Sequence, residues 1–398
     1  MNSVSKILII GAGAAGLTAA ETLRLQGFQE EISIINAEDA ALYDRPPLSK
    51  QVLAGTWSPE KALLRPQVAL EKLRLNWYHG VRVTSLDTEA HRVDLSDGQE
   101  VSFDAAVIAT GVAPRRLSSG HNLRGVHVLR TLSDALSLKQ ALVPDTHLVV
   151  VGGGFLGLEV ASTAQQLGVK VDVIEPFPIC LEGPLGAAIG QRVMALQEAH
   201  GVHLHNGIGV SRLIGNEDQG ASGDIVEVEL SDGSLMQADN VLVAIGAQPT
   251  LAWAESSHLT ILNGIVCDEF CEAVPDIYAA GDIANWYHPQ VGRRLRLEHR
   301  MNAAEQGQAV ARNILGQRTP FVPLPFFWSD QFDAKIQMYG VASRQAQLRI
   351  IAGDIHDDHF IAGYYEEEHL VAVLGWNSAG KLLPYRRQLT AEMAEKMS

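Results

Sequence analysis

Two glycine fingerprints in the same strand, loop and helix setting, two copies of a short apolar strand ending in glycine, and an aromatic-rich final fifth together predict an α/β chain. It would consist of two Rossmann-like domains followed by a small C-terminal α+β domain with an antiparallel sheet.

The first fingerprint, Gly11-Ala12-Gly13-Ala14-Ala15-Gly16, lies behind an apolar strand at 6–10 and ahead of a small-residue helix that runs to Gly27. In such a βαβ opening the first glycine permits a tight turn and the second lets backbone N–H groups approach a pyrophosphate. The third lets the helix pack on the strand. The next strand ends at Asn36 with Glu38 two residues on, so its carboxylate for a ribose is offset. A Pro-rich loop at 43–50 follows, then turns through Asp97-Gly98 to an apolar strand delivering Ala109, Thr110 and Gly111. The segment 113–125, rich in Pro, Arg, Ser and Gly, reads as a crossing between domains.

The second fingerprint, Gly152-Gly153-Gly154-Phe155-Leu156-Gly157, has its own strand at 148–151 and a helix that runs to Gly168. The strand at 170–174 then ends in Glu175, placed to accept hydrogen bonds from adenosine ribose hydroxyls and to repel a 2′-phosphate. Pro176, Phe177 and Pro178 follow, with no Arg to receive that phosphate, so NADH is expected over NADPH. After Asp232-Gly233 an apolar strand closes the unit at Ile245-Gly246, as Ala109-Thr110-Gly111 closes the first. Two dinucleotide sites suggest a flavin reduced by a nicotinamide. The last 80 residues hold nearly half of the Phe, Tyr and Trp and read as strands at 348–352, 360–365 and 371–376 with a closing helix. The expected domains are 1–115 with 241–318 for FAD, 116–240 for NAD, and 319–398.

Composition narrows the function. The 398 residues are 46% apolar and 19% charged, as in a soluble globular chain, and the net charge of −15 disfavours nucleic acid and anionic membranes. No apolar run reaches the ~18 residues of a membrane span, and no basic-then-apolar leader precedes the first strand, so the expected location is cytoplasmic. Only Cys180, Cys267 and Cys271 are present, without a Cys-x-x-Cys, and the loop after the second strand has none. That argues against electron transfer through thiols, and Cys267 and Cys271 are expected to be ordinary buried side chains. The 14 His show no metal-ligand spacing, and no metal site is expected.

Three further motifs carry a resemblance: Tyr43-Asp44-Arg45-Pro46-Pro47-Leu48-Ser49-Lys50, Asp276-Ile277-Tyr278-Ala279-Ala280-Gly281-Asp282, and Phe327-Trp328-Ser329-Asp330-Gln331. Over essentially its whole length the chain resembles the FAD-containing, NADH-dependent ferredoxin reductases of bacterial ring-hydroxylating dioxygenase and cytochrome P450 systems. These are relatives of rubredoxin reductases with a glutathione-reductase-type fold. The resemblance implies FAD contacts at Gly11, Gly13, Ala14, Ala15, Gly16, Glu38, Arg45, Lys50, Val83, Ala109, Thr110, Gly111, Arg130, Gly281, Asp282, Glu298, His299 and Trp328. It implies NAD contacts at Gly152, Gly154, Phe155, Leu156, Gly157, Glu159, Glu175, Ile245 and Gly246. Asp282 would hold the ribityl chain, Lys50 would lie by the isoalloxazine ring and pair with Glu159, and Glu298 and His299 would face the nicotinamide side. Lys50, Glu159 and Glu298 are the residues implied in catalysis. Trp328 would pack near the flavin edge.

The expected reaction is hydride transfer from NADH to FAD, then release of single electrons to an acidic [2Fe-2S] ferredoxin, or a rubredoxin, that feeds an oxygenase. Arg293, Arg294, Arg296 and Arg300 would form the positive face that meets it. The chain would be a monomer or homodimer. Other flavoenzymes (an NADH oxidase or a quinone reductase) and a non-catalytic NADH-binding sensor are the alternatives, and the retained Lys50, Glu159 and Asp282 disfavour the sensor.

Overall fold

Strand β1 (Lys6–Ile10) is apolar on both faces, and Ile7 through Ile10 are almost wholly excluded from solvent. A strand of that kind belongs in the middle of a parallel sheet covered on both sides. In the computed structural model, which describes residues 4–216 and 223–395, it does so. Helix α1 (Ala14–Leu25) leads from it to β2 (Glu31–Asn36), β3 (Asn76–His79) and β4 (Ala105–Ile108). Between β3 and β4 lies a separate three-stranded meander at Val83–Asp87, Arg92–Leu95 and Glu100–Ser102.

The chain then leaves for the second domain. Val112–Pro114 pairs antiparallel with Ala247–Pro249, and these two strands carry the chain out and back. The second sheet contains β5 (Val126–His127), β6 (His147–Val151), β7 (Lys170–Glu175), β8 (His203–Asn206) and β9 (Asn240–Val243), all parallel, in the order β8-β7-β6-β9-β5. Helix α2 (Leu132–Ala141) follows β5 and α3 (Phe155–Gln166) follows β6. Because β9 pairs with β6 inside this sheet, the return crossing lies after Val243. The expected boundary at 240/241 would cut a central strand and is corrected accordingly.

Back in the first domain, β10 (Glu272–Val274) and β11 (Ile277–Ala279) complete the six-stranded sheet in the order β10-β11-β4-β1-β2-β3, with only β10 antiparallel. Helix α4 (Arg300–Ile314) then lies against α1 so closely that a Cβ at Gly307 would sit 2.3 Å from the Ala15 carbonyl oxygen. No other residue fits that crossing.

The C-terminal domain is one antiparallel sheet of β12 (Phe326–Gln331), β13 (Ala334–Gly340), β14 (Gln347–Ala352), β15 (Phe360–Glu366) and β16 (His369–Trp376), ordered β12-β13-β16-β15-β14 and closed by α5 (Leu383–Glu395). Strands β12 and β13 were not among the three expected from sequence. β12 buries Ser329 and Gln331 completely, so its apolar and polar residues do not sort by face. One apolar cluster joins the loop residues Leu48, Val52 and Leu53 to Leu158 and Val160 of α3 and to Ile336 and Met338 of β13. The 43–53 loop, the second domain and the C-terminal domain therefore share a core, and the candidate site lies at that junction. Among the described residues no helix is long and apolar enough to cross a membrane.

Candidate active site at the three-domain junction

Both fingerprints fold into the same cradle. Gly11 has φ +109, and a Cβ there would lie 2.4 Å from the Ala109 carbonyl oxygen. A Cβ at Gly16 would lie 1.9 Å from the Gly11 carbonyl oxygen. In the second cradle Gly152 has φ +110 and meets Ala244 at 2.5 Å, while Gly157 meets the Gly152 carbonyl at 2.1 Å. The first and third glycines are thus demanded by packing, but the middle ones are not. Gly13 and Gly154 have ordinary φ of −70 and −78, and a Cβ on either meets nothing within 4 Å. Helices α1 and α3 also begin without a side-chain cap or an acidic residue in the first turn, which leaves their N-terminal N–H groups to an anion.

Around the first cradle, buried polar atoms lack protein partners: Thr110 Oγ1, Arg130 Nε, His299 Nδ1 and both amide atoms of Asn302. Buried polar groups are otherwise paired, so a polar ligand such as the ribityl and pyrophosphate of FAD fits them. Arg130 is placed by the start of α2, where Thr131 and Asp134 form a reciprocal cap and Asp134 Oδ2 also accepts the Arg130 N–H at 3.0 Å. Its Nη2 donates to Asp282 Oδ2 at 3.1 Å. Burial, and then the neighbouring Arg45, lower its pKa against the opposing pull of Asp282. Arg45 donates to the Arg130 carbonyl and, at 3.0 Å, to Glu38 Oε1, while Tyr43 donates to the other Glu38 oxygen. Gly111, with φ +68, lies 3.0 Å from Arg130 Nη2 at its would-be Cβ. Gly281, with φ +79, gives its N–H to Gln306 at 2.8 Å and would place a Cβ 3.2 Å from that of Ala15. Val83 is buried in the meander opposite Leu95.

Of the three expected catalytic residues, two meet. Lys50 Nζ donates to Glu159 Oε2 at 2.7 Å, with side chains only 12% and 8% exposed. Glu298 does not join them. It is half exposed and pairs at 2.8 Å with Arg296, which also donates to the Asp282 carbonyl at 3.0 Å. His299 occupies the position before α4 without a side-chain cap bond, and burial pushes its imidazole down to about 4 despite Asp282 nearby. Its ring lies 5.4 Å from Phe327, and Phe327 lies 5.0 Å from Phe155 at the start of α3. Trp328 points to the other face of β12 and stacks on Phe326 at 6.0 Å. In sequence Trp328 drew attention, whereas Phe327 is the aromatic that touches His299.

At the second cradle Glu175 accepts the Gly153 N–H at 2.7 Å and the Phe177 N–H at 3.1 Å. A carboxylate has capacity for further donors on both oxygens. Leu156 and Phe177 are exposed beside it, and Gly246, with φ +93, closes the neighbouring β9 loop after Ile245. All three cysteines are buried and unpaired. Burial raises their thiols, those of Cys180 and Cys271 to about 12 and that of Cys267 well above its ordinary value.

The expected arginine face is reduced to part of its length. Arg294 donates to the carbonyls of Cys267 and Asn285, Arg296 serves Asp282 and Glu298, and Arg300 donates to Asp44 at 2.5 Å. Arg296 and Arg300 are thus partly buried and balanced by carboxylates, while Arg294, bonded only to backbone carbonyls, and Arg293 stay exposed. Sequence reasoning also passed over Ser49 and Ser329, which donate to Glu159, and Gln331 and Gln197, which lie behind Ser329. The two-residue spacing of Phe327, Ser329 and Gln331 was the signal for one shared strand face.

Comparison with known proteins agrees with this geometry. Residues 5–307 match the pyridine nucleotide-disulphide oxidoreductase family and residues 326–396 the reductase C-terminal family. Rhodocoxin reductase of Rhodococcus erythropolis is 34% identical over 97% of this chain and 90% of its own. The benzene 1,2-dioxygenase system ferredoxin–NAD(+) reductase subunit of Pseudomonas putida is 38% identical over 84% of this chain and 80% of its own. The reductase in a covalent putidaredoxin reductase–putidaredoxin complex superposes with a TM-score of 0.93 at 30% identity, covering 98% of this chain and 93% of that one. With two glycine cradles and a Lys50–Glu159 pair shared between domains, the chain belongs to the pyridine nucleotide-disulphide oxidoreductase family, in the group that carries the reductase C-terminal domain.

Proposed function

We propose that the protein is an NADH-dependent flavoprotein reductase that passes electrons from NADH through FAD to an acidic [2Fe-2S] ferredoxin or a rubredoxin serving an oxygenase. The observation that carries this reading is that Gly13 and Gly154 alone, in their fingerprints, are not required by packing. Backbone approach of a ligand is the remaining reason for both. Support for the electron acceptor comes from relatives named as ferredoxin–NAD(+) and rubredoxin–NAD(+) reductases.

The first cradle with Glu38, Arg45, Thr110, Arg130 and Asp282 would hold FAD, and the second with Glu175 would hold NADH. Bound FAD would supply the conversion of a hydride into single electrons, and the protein aligns the reactants and tunes the potential. Lys50 presents a cation whose charge is partly balanced by Glu159, favouring negative charge on a neighbouring ring. His299 is neutral near pH 7 and with Phe327 and Phe155 forms a surface that excludes water. Glu175 accepts ribose hydroxyls and repels a 2′-phosphate. An acidic partner would meet Arg293 and the exposed Arg386 and Arg387 of α5. The test is reduction of cytochrome c by NADH through the purified protein and an added [2Fe-2S] ferredoxin. Activity that does not depend on the ferredoxin would refute the assignment.

A further inference from the structure

Glu159 is held from three sides. Lys50 Nζ at 2.7 Å and Ser49 Oγ at 2.6 Å donate to Oε2, and Ser329 of the C-terminal domain donates to Oε1 at 2.8 Å. Ser329 has one hydroxyl hydrogen, and the residues behind it set its direction. Gln331 Nε2 donates to Ser329 Oγ at 3.2 Å, while Gln331 Oε1 accepts from Gln197 Nε2 at 2.9 Å. The other Gln197 amide hydrogen goes to Ser162 Oγ at 2.9 Å, and Ser162 donates in turn to the Leu158 carbonyl at 2.8 Å. Gln197 Nε2 also lies 3.3 Å from the Leu158 carbonyl, which only accepts, so the Gln197 NH2 faces that side and Gln331 turns its oxygen to Gln197 and its NH2 to Ser329. The Ser329 hydroxyl hydrogen is then aimed at Glu159. Gln197, Ser329 and Gln331 are completely buried, so water does not substitute for any link.

We infer that Ser329 and Gln331 are positioning residues for the Lys50–Glu159 pair. The directed chain Gln197 to Gln331 to Ser329 to Glu159 shares the carboxylate's charge between the C-terminal domain and Lys50. It thereby sets how much of the ammonium's field is left for the flavin. The inference rests on the reading that FAD binds beside Lys50. Without the Ser329 hydroxyl the carboxylate keeps only its Oε2 donors, Ser49 and Lys50, so more of its charge acts on Lys50, less positive field reaches the ring, and the reduced, negatively charged flavin is less stable.

The test is the two-electron midpoint potential of the FAD-loaded protein. Ser329→Ala is expected to lower the ratio of reduced to oxidised flavin about tenfold at fixed potential, a fall of about 30 mV. Ser329→Thr, which keeps a hydroxyl, is expected to restore it, and in a Lys50→Met background Ser329→Ala is expected to change nothing further. Should Ser329→Ala fail to fold, Gln331→Met frees the hydroxyl's direction and is expected to shift the potential in the same sense. A potential unmoved by Ser329→Ala, or moved equally with and without Lys50, overturns the inference. If the wild-type protein binds no FAD, the functional reading fails on its own. The inference is then judged on the FAD-free protein, where Ser329→Ala and Lys50→Met should be non-additive in urea unfolding by about threefold or more in the unfolding constant, and additivity overturns it.

Discussion

Replacing Gly13 by valine separates ligand binding from folding more cleanly than any other change in the molecule. Gly13 sits at φ −70 and ψ −167, an extended conformation open to any residue, and a Cβ there has no neighbour within 4 Å. Loss of a glycine at a compatible position narrows the unfolded ensemble, so the FAD-free Gly13→Val protein should unfold within about 1 kcal/mol of wild type. Gly16→Ala is the opposite case, because its Cβ would overlap the Gly11 carbonyl oxygen at 1.9 Å. Forcing helix and strand apart there should cost about 1–3 kcal/mol or more. In FAD titrations followed by flavin fluorescence, Gly13→Val should weaken binding at least 100-fold, about 2.7 kcal/mol. The same contrast holds in the second cradle, where Gly154→Val should spare folding and FAD while abolishing NADH binding, and Gly157→Ala should not fold normally. If Gly13→Val binds FAD with wild-type affinity, or destabilises the apoprotein as much as Gly16→Ala, the assignment of the cradle is wrong.

Further outcomes follow from other residues. Glu175→Ala removes a charged acceptor and should cost NADH about 1.5–3 kcal/mol, roughly 10- to 150-fold in affinity by titration, with NADPH losing less. For His299 the folded-state pKa is about 4 against an ordinary 6.5, so between those values the unfolded chain binds more protons and acid destabilises the fold. In urea unfolding of the FAD-free protein, wild type should lose about 3 kcal/mol more than His299→Asn between pH 7 and pH 4, and equal losses would count against a buried neutral imidazole. Arg386→Glu with Arg387→Glu should slow ferredoxin reduction at low salt and flatten its salt dependence, leaving turnover with ferricyanide intact. Arg294→Glu should instead destabilise the protein, since its guanidinium holds two backbone carbonyls.

What could be read without coordinates was whatever is encoded locally. The glycine spacings with their flanking apolar strands specify βαβ units by themselves, and the cradles at Gly11 and Gly152 formed where expected. Glu175 was legible because a carboxylate at a parallel strand end lies beside the loop of the preceding strand. The misses are long-range. The charge of Arg296 and Arg300 looked available because nothing in the sequence says that Glu298 and Asp44 would balance them in the fold. Glu298 lies beside His299 in sequence but pairs with Arg296, because an extended segment throws neighbouring side chains to opposite sides. Ser329 meets Glu159 only when the C-terminal sheet docks on α3, a contact 170 residues apart along the chain.

The central claim is that the two cradles place NADH and FAD in one electron path toward an iron–sulfur protein, and an anaerobic titration tests it most directly. The purified protein should carry one FAD per chain, NADH should bleach it stoichiometrically, and subsequent addition of oxidised [2Fe-2S] ferredoxin should restore the flavin colour at two ferredoxins per FAD. A flavin that NADH leaves oxidised, or a reduced flavin that the ferredoxin fails to reoxidise, would contradict it.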